Sequence, residues 1–251
     1  MSNKSVTPYK ATLPVKAVAD PLDPMSQVRG QDIILPIRKL VQPQSRMEGG
    51  REHSGEFWDN LSGKFQPKLR VAVLKISYSR SLFAGGSFDQ PPVCASDAAF
   101  SPRVVAEVGG QSTGPTCAKC PFSQWGSAGE GRKGQACHET RNLLCLDLDS
   151  GEPFILRVSG VSIKPWSLYV TARGRTGLGF LKAEIVIGSG AKLFDAGQAY
   201  ILSFETGAKF DEATVSQLRE LAGSYAGLGL GVEEQLAADE VDKEAEEKLF
   251  A

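Results

Sequence analysis

The stretch NLLCLDL at positions 142–148, followed by DSGE at 149–152 and PFILRV at 153–158, decides the class of fold. Two short apolar runs that flank a cluster of Asp, Ser and Gly are typical of two β-strands joined by a hairpin turn. A single hairpin is barely stable in water, because it cannot bury its apolar face alone. The flanking sequence is therefore expected to supply further strands.

Apolar runs with the character of strands lie on both sides of this hairpin. In LRVAVLKISY at 69–78, the apolar residues at alternate positions from Leu69 to Val73 would share one face of a strand. Further strands are predicted at 180–187 and 199–204. The chain is therefore expected to build a sheet of at least five strands.

Two segments are predicted to be helical. SIKPWSLYVTAR at 162–173 has its proline near the start, where the first turn of a helix accepts it. The segment 211–225 begins with Asp211, a residue type that caps helices, and its apolar residues recur at helical spacing from Val215 to Leu221. Short strands, a turn-rich middle and one late helix predict a mainly β (α+β) fold, an OB-like curved sheet or small barrel.

Four of the five cysteines lie between the first strand and the hairpin. Twenty-two residues lie between Cys94 and Cys117, two between Cys117 and Cys120, and 16 between Cys120 and Cys137. A Cys-x-x-Cys pair places two thiolates on one tight turn, and two flanking cysteines complete the ligand set of a structural zinc site. The sequence therefore predicts a closed Zn²⁺ site at these four positions, within a zinc-stapled loop insertion over 79–141.

Two alternatives to zinc stay open, namely buried thiols without a metal and an iron–sulfur cluster. A glycine-rich region as long as 79–141 is not expected inside a compact domain, unless a bound metal replaces the missing hydrophobic core. A closed four-cysteine site has no open coordination position, so it is expected to be structural. The fifth cysteine, Cys145, alternates with leucines and is predicted to be a core thiol.

The composition is that of an ordinary globular protein, since 41% of the 251 residues are hydrophobic and 23% are charged. No apolar run approaches the ~18 residues that cross a membrane. Positions 1–8, MSNKSVTP, lack the apolar core of a signal peptide. These features predict a cytoplasmic protein with no membrane partner, located in the host cytoplasm if a phage encodes it. A reducing compartment keeps thiols available as metal ligands.

The charge is unevenly distributed along the chain. Residues 233–251 hold eight acidic residues and two lysines, a net charge of −6, which leaves +5 on residues 1–232. Residues 1–30 are polar and contain four prolines without any periodicity. The predicted organisation is an extended or partly disordered arm at 1–30, an OB-like β domain at 31–231 and an acidic C-terminal tail at 232–251.

Aromatic and basic side chains cluster in two places in a manner that suits single-stranded nucleic acid. Bases stack on exposed rings, while lysine and arginine neutralise phosphates. The first group surrounds the cysteine pair and consists of Lys119, Phe122, Trp125, Arg132 and Lys133. The second group consists of Lys164, Trp166, Tyr169, Arg173 and Arg175. The alternatives are rings that pack around the metal in the first group and a mixed helix with a solvated face in the second.

Catalytic motifs are not apparent. The chain has two histidines, no phosphate-binding Gly-Lys-Ser/Thr motif and no dinucleotide fingerprint. The glycine-rich stretch at 174–179 lacks the strand and helix that a dinucleotide site requires. The protein is therefore expected not to be an enzyme.

Taken together, the four cysteines, the aromatic and basic loops and the acidic run from Glu233 to Phe250 resemble a phage-type single-stranded DNA-binding protein. That class has an OB-like core, sometimes with a zinc-bearing loop, and an acidic C-terminal tail that ends near an aromatic residue. The resemblance is architectural and covers about residues 70–251. Two features depart from the class: the metal set is all cysteine, and Ala251 follows Phe250.

The resemblance implies binding of single-stranded DNA without strong sequence preference, in replication or recombination. Replication or recombination proteins would be partners of the acidic tail. In this hypothesis Phe122, Trp125 and Trp166 stack on bases, and the basic residues of both groups contact phosphates. Two alternatives stay open: a non-enzymatic zinc-containing adaptor that binds other proteins, and a structural virion or assembly protein.

Overall fold

The computed structural model describes residues 35–45, 50–83, 91–129, 134–194 and 197–230. The arm predicted at 1–30 and the tail predicted at 232–251 lie outside the described residues. The protein is mainly β, with a strongly curled sheet and two α-helices, so the predicted OB-like, mainly β class is confirmed. Within the described ranges, no helix is both long and apolar enough to cross a membrane.

Eleven strands and two α-helices form the regular structure of the described residues. The strands are β1 (Ile37–Leu40), β2 (Phe57–Asp59), β3 (Phe65–Gln66), β4 (Leu69–Leu82), β5 (Cys94–Ser96), β6 (Glu107–Val108), β7 (Gln111–Ser112), β8 (Cys137–Asp147), β9 (Pro153–Ser159), β10 (Ala183–Phe194) and β11 (Gly197–Lys209). The helices are α1 (Ile163–Arg175) and α2 (Glu212–Ser224). Nine strands form one sheet in the order β11-β10-β4-β8-β9-β1-β2-β3, with β5 paired to β4, while β6 pairs with β7.

The chain divides into two compact units. Unit 1 comprises residues 1–75, 143–156 and 164–228, and unit 2 comprises residues 76–142, 157–163 and 229–251. The cysteine-bearing segment predicted at 79–141 therefore belongs to unit 2.

Unit 1 contains most of the hydrophobic core. Among the described residues, the twelve largest fully buried side chains all belong to it: Phe57, Phe154, Ile37, Leu69, Leu143, Leu144, Leu146, Leu156, Ile185, Ile187, Leu218 and Val41. Cys145 is also fully buried there, as predicted, and burial raises the pKa of its thiol well above the usual value. Unit 2 has none of these large side chains and needs another source of stability.

The turn between β8 and β9 confirms the predicted hairpin. The backbone N–H of Asp147 donates to the carbonyl oxygen of Glu152 at 2.9 Å. The Asp147 carboxylate accepts from the N–H of Asp149 at 2.8 Å and from that of Ser150 at 3.3 Å. An aspartate that accepts from backbone groups two and three residues later is typical of tight turns.

Both predicted helices are confirmed. Helix α2 begins after Asp211, whose carboxylate accepts a hydrogen bond from the N–H of Thr214 at 2.7 Å. Its buried residues include Val215, Leu218 and Leu221, the positions expected from the helical spacing. Helix α1 ends at Arg175, two residues beyond the predicted end.

A buried charge network in unit 1 is centred on Arg38 of β1. The Arg38 guanidinium donates to Asp59 at 3.1 Å, contacts Asp147 as an ion pair and lies 4.1 Å from the centre of the Phe154 ring. Burial raises the pKa of Asp59, but the Ser62 N–H and Arg38 outweigh that effect and hold the pKa below its usual value. One arginine thus contacts both carboxylates and compensates part of their negative charge.

Candidate metal centre

The four cysteines predicted as metal ligands lie in unit 2 and are all buried. They line one cavity of about 10 Å³. The other residues that line it are Arg80, Ala95, Ser96, Pro102, Thr113, Thr116 and Ser123. Residues as distant in sequence as Cys94 and Cys137 are therefore brought to a common place by the fold.

Two of the ligand candidates come from strands. Cys94 begins β5 and pairs with Leu82 at the end of β4, and Cys137 begins β8. Leu82, Cys94 and Cys137 form one apolar cluster, against which Ala106, Val108, Phe122 and Ala136 pack. The sheet thus fixes the backbone positions of two of the four cysteines.

The other two thiols come from a tight knuckle. Cys117–Lys119 and Pro121–Ser123 form consecutive 3-10 turns, and the N–H of Cys120 donates to the carbonyl oxygen of Cys117 at 3.3 Å. The Ser123 hydroxyl lies 2.8 Å from the Cys120 carbonyl oxygen and also contacts that of Cys117, so its proton can be donated to either. The Cys-x-x-Cys pair is thereby held in the turn that its spacing predicts.

The electrostatics also link the thiols. The pKa of Cys137 is raised to about 12, mainly by burial; Arg80 lowers it in part, and nearby Cys120, Cys94 and Cys117 contribute to raising it. Burial likewise raises the pKa of Cys94, against a lowering by its hydrogen bond to Thr113. Cysteine binds a metal as the thiolate, so metal binding to thiols releases protons.

The side chains as they stand do not form a finished ligand set. Among the residues that the structure describes, no three His, Cys, Asp or Glu side chains are arranged to hold an ion. The Cys94 Sγ instead contacts the carbonyl oxygen of Val104 at 3.6 Å. Rotation of a thiol about χ1 is inexpensive compared with a shift of the backbone, so binding of an ion by these four residues would require side-chain rearrangement.

The lining of the cavity is compatible with an ion held by thiolates. Its volume of about 10 Å³ has room for about one water-sized particle as the side chains stand. A divalent ion with four thiolates carries a net double negative charge, which favours a cation and hydrogen-bond donors around it. Two donors there, Arg80 Nη1 and Ser96 Oγ, are buried without a hydrogen-bond partner among the described residues.

Trp125 and Lys119 of the first predicted group are exposed beside the knuckle. Trp125 is 79% exposed. The side-chain amide of the preceding residue, Gln124, donates to the carbonyl oxygens of Ala118 at 3.1 Å and Cys120 at 3.2 Å. The turn that carries the tryptophan is thus bound to the cysteine knuckle. Phe122 is half-buried in the apolar cluster, in line with the alternative that this ring packs around the site.

The second predicted group requires correction. Trp166 is 2% exposed and packs on Phe180 and Phe204, with ring centres 5.7 Å and 5.1 Å away. Arg173 is also buried and donates to the carbonyl oxygens of Gly179 at 3.1 Å and Ala183 at 2.7 Å. Neither can meet a base or a phosphate, because each is enclosed in unit 1. The hypothesis that Trp166 stacks and Arg173 binds phosphate is wrong for this structure.

The remaining candidates are distributed as follows. Lys164 and Arg175 are exposed on α1, and the half-buried Tyr169 places its hydroxyl 3.2 Å from that of Thr206. Arg132 and Lys133 lie outside the described residues. Among the described residues, those of the first group belong to unit 2 and those of the second group belong to unit 1.

Comparisons with known proteins add no identification. No protein-family model matches the chain, and neither a curated protein nor a solved structure matches it.

Proposed function

We propose that the protein binds single-stranded DNA without strong sequence preference and that its cysteine loop holds a structural zinc ion. The observation that carries the proposal is Trp125, a large ring that is 79% exposed on a turn attached to the cysteine knuckle. Lys119, which lies within the knuckle, is also exposed. An exposed ring and an exposed cation in the same segment are the combination that stacks on a base and neutralises a phosphate.

The zinc ion would stabilise unit 2 and take no part in chemistry. Cys94, Cys117, Cys120 and Cys137 would hold it as thiolates, and such a closed set leaves no position for a substrate. The described part of unit 2 has none of the largest fully buried side chains, and the ion would supply stability in their place. Its role is to keep the knuckle, and with it Trp125, in one orientation.

The resemblance to phage-type single-stranded DNA-binding proteins supports a place in replication or recombination, in the cytoplasm of the host. The acidic residues of the tail at 232–251 would compete with DNA for basic side chains, or bind replication or recombination proteins. Arg132 and Lys133 follow Trp125 in sequence and are proposed to extend the phosphate contacts. Lys164, Tyr169 and Arg175 remain candidates on unit 1.

A zinc-containing adaptor that binds other proteins is the second candidate function. Unit 2 also exposes Phe100, Val104 and Val105, which are 70%, 65% and 54% exposed. Apolar side chains grouped in one loop suit a protein partner better than a phosphate backbone. Association through such contacts would depend weakly on salt, in contrast to binding of DNA.

The proposal predicts a loss of affinity when the exposed ring is removed. Trp125→Ala is expected to weaken binding of a fluorescent single-stranded oligonucleotide by roughly 5- to 150-fold, since one stacked base contributes about 1–3 kcal/mol. Leu193→Ala is the matched control, because Leu193 is a similarly exposed apolar residue of unit 1, at 80%. If Trp125→Ala and wild type bind the oligonucleotide with equal affinity in fluorescence anisotropy, Trp125 does not stack on a base.

A further inference from the structure

We infer that Arg80 and Ser96 donate hydrogen bonds to the cysteine thiolates of the metal centre and thereby set its affinity for the ion. The inference rests on the zinc site proposed above. The cysteine pattern does not indicate either residue. Their role would be to stabilise the negative charge of four thiolates in a buried site.

Arg80 is positioned by the strands that also position the cysteines. It lies on β4, paired with Ser96 of β5, two residues before the pair formed by Leu82 and Cys94. Its Nη2 donates to Glu139 at 2.6 Å, and the side chain is 13% exposed. Arg80 lines the cavity, and its Nη1 is buried without a hydrogen-bond partner among the described residues. One nitrogen of the guanidinium is therefore anchored by Glu139, while another keeps a hydrogen-bond donor that no described residue uses.

Ser96, on the neighbouring strand β5, is a second buried hydrogen-bond donor at the cavity. It is 1% exposed, it lines the cavity, and its hydroxyl has no hydrogen-bond partner within the described residues. Leaving a buried hydroxyl unsatisfied costs about 1–3 kcal/mol, so such a group is expected to have a partner in the working state of the protein. Because two such donors belong to residues that line one small cavity, the simplest explanation is that they share an acceptor there.

Thiolate sulfur is that acceptor. The neutral thiols offer the two donors little, but each thiolate of a metal centre accepts hydrogen bonds and carries negative charge. Arg80 can also neutralise part of the net charge of the ion and its four ligands, and it does so with Glu139 fixing its orientation. Partners of this kind typically change metal affinity by 10–100-fold when they are removed.

The test is a zinc competition on the full-length protein with a chromophoric chelator. Arg80→Met and Ser96→Ala are each expected to lower zinc affinity by about 10–100-fold, and Arg80→Lys to recover part of that loss by keeping the charge. In the cobalt-substituted protein, the thiolate-to-cobalt charge-transfer band should shift in Arg80→Met and in Ser96→Ala. A residue that only supports the fold would leave that band in place.

Arg141→Met is the matched control, because Arg141 donates to the same Glu139 at 2.6 Å but does not line the cavity. It should keep the wild-type zinc affinity and cobalt spectrum. Alanine is nearly isosteric with serine, so the Ser96→Ala variant still tests the inference if Arg80→Met fails to fold. If wild type binds zinc and Ser96→Ala equals it in affinity and spectrum, the inference fails while the metal site stands. If the wild-type protein binds no metal, both this inference and the proposed zinc site fail.

Discussion

A Cys120→Ser variant is expected to lose its zinc and, with it, the ordered structure of the cysteine loop. The change leaves three thiolates and a hydroxyl, which is a poor zinc ligand at neutral pH. Structural zinc contributes on the order of 10 kcal/mol in small zinc-bound peptides. Unit 2 has none of the large fully buried side chains that stabilise unit 1, so it cannot make up that loss by packing.

Elemental analysis and limited trypsin digestion measure this effect. The wild type should carry about one zinc per chain and resist cleavage after Lys119, whereas Cys120→Ser should carry none and be cleaved there early. Cys145→Ala is the control, since Cys145 is a buried thiol of unit 1 that does not line the cavity. Retention of one zinc by Cys120→Ser would show that the four cysteines do not act as one ligand set.

Replacing Arg38 with methionine is expected to destabilise unit 1 by about 3–5 kcal/mol, because it removes a buried cation that contacts two buried carboxylates. Arg38 is 4% exposed, and both Asp59 and Asp147 are buried. In wild type the lowered pKa of Asp59 contributes stability that is lost as the pH falls. Without Arg38 the Asp59 carboxyl is expected to take up a proton at higher pH than in wild type, so this contribution shrinks.

Urea unfolding measures the effect of Arg38→Met. Arg103→Met is the control, because Arg103 pairs with Asp97 at 2.7 Å but both side chains are substantially exposed, at 35% and 45%. Exposed pairs contribute about 0–1 kcal/mol, so this variant should unfold near the wild-type midpoint. If the two variants unfold at the same urea concentration, the buried network does not stabilise unit 1 in the way described.

The sequence predicted the fold class and its main elements because their signals are local. The hairpin around Asp147 and the helix that Asp211 caps both follow from short-range patterns, and both are confirmed. The short strands β2 and β3 were not predicted, since two or three residues are too few to show a periodicity. The pairing of β2 with β1 is a long-range contact that no local pattern encodes.

The candidate site was predictable in part for the same reason. Cysteine spacing indicated which thiols converge, and the fold brings all four to one cavity. Burial was not predictable for Trp166 and Arg173, because an aromatic or basic residue on a mixed helix gives no sign of which face packs inward. Arg80 and Ser96 carry no sequence signal, since only the pairing of β4 with β5 places them beside the cysteines.

The measurement that tests the central claim most directly is binding of a fluorescent single-stranded oligonucleotide over a salt series, for the full-length protein and for a form without residues 232–251. The account predicts submicromolar binding at low salt and a linear fall of log affinity with log salt, with a slope of roughly −0.7 for each phosphate contacted. The form without the acidic tail should bind more tightly. Absence of binding by both forms at low salt, in samples that carry zinc, would contradict the account and favour the adaptor.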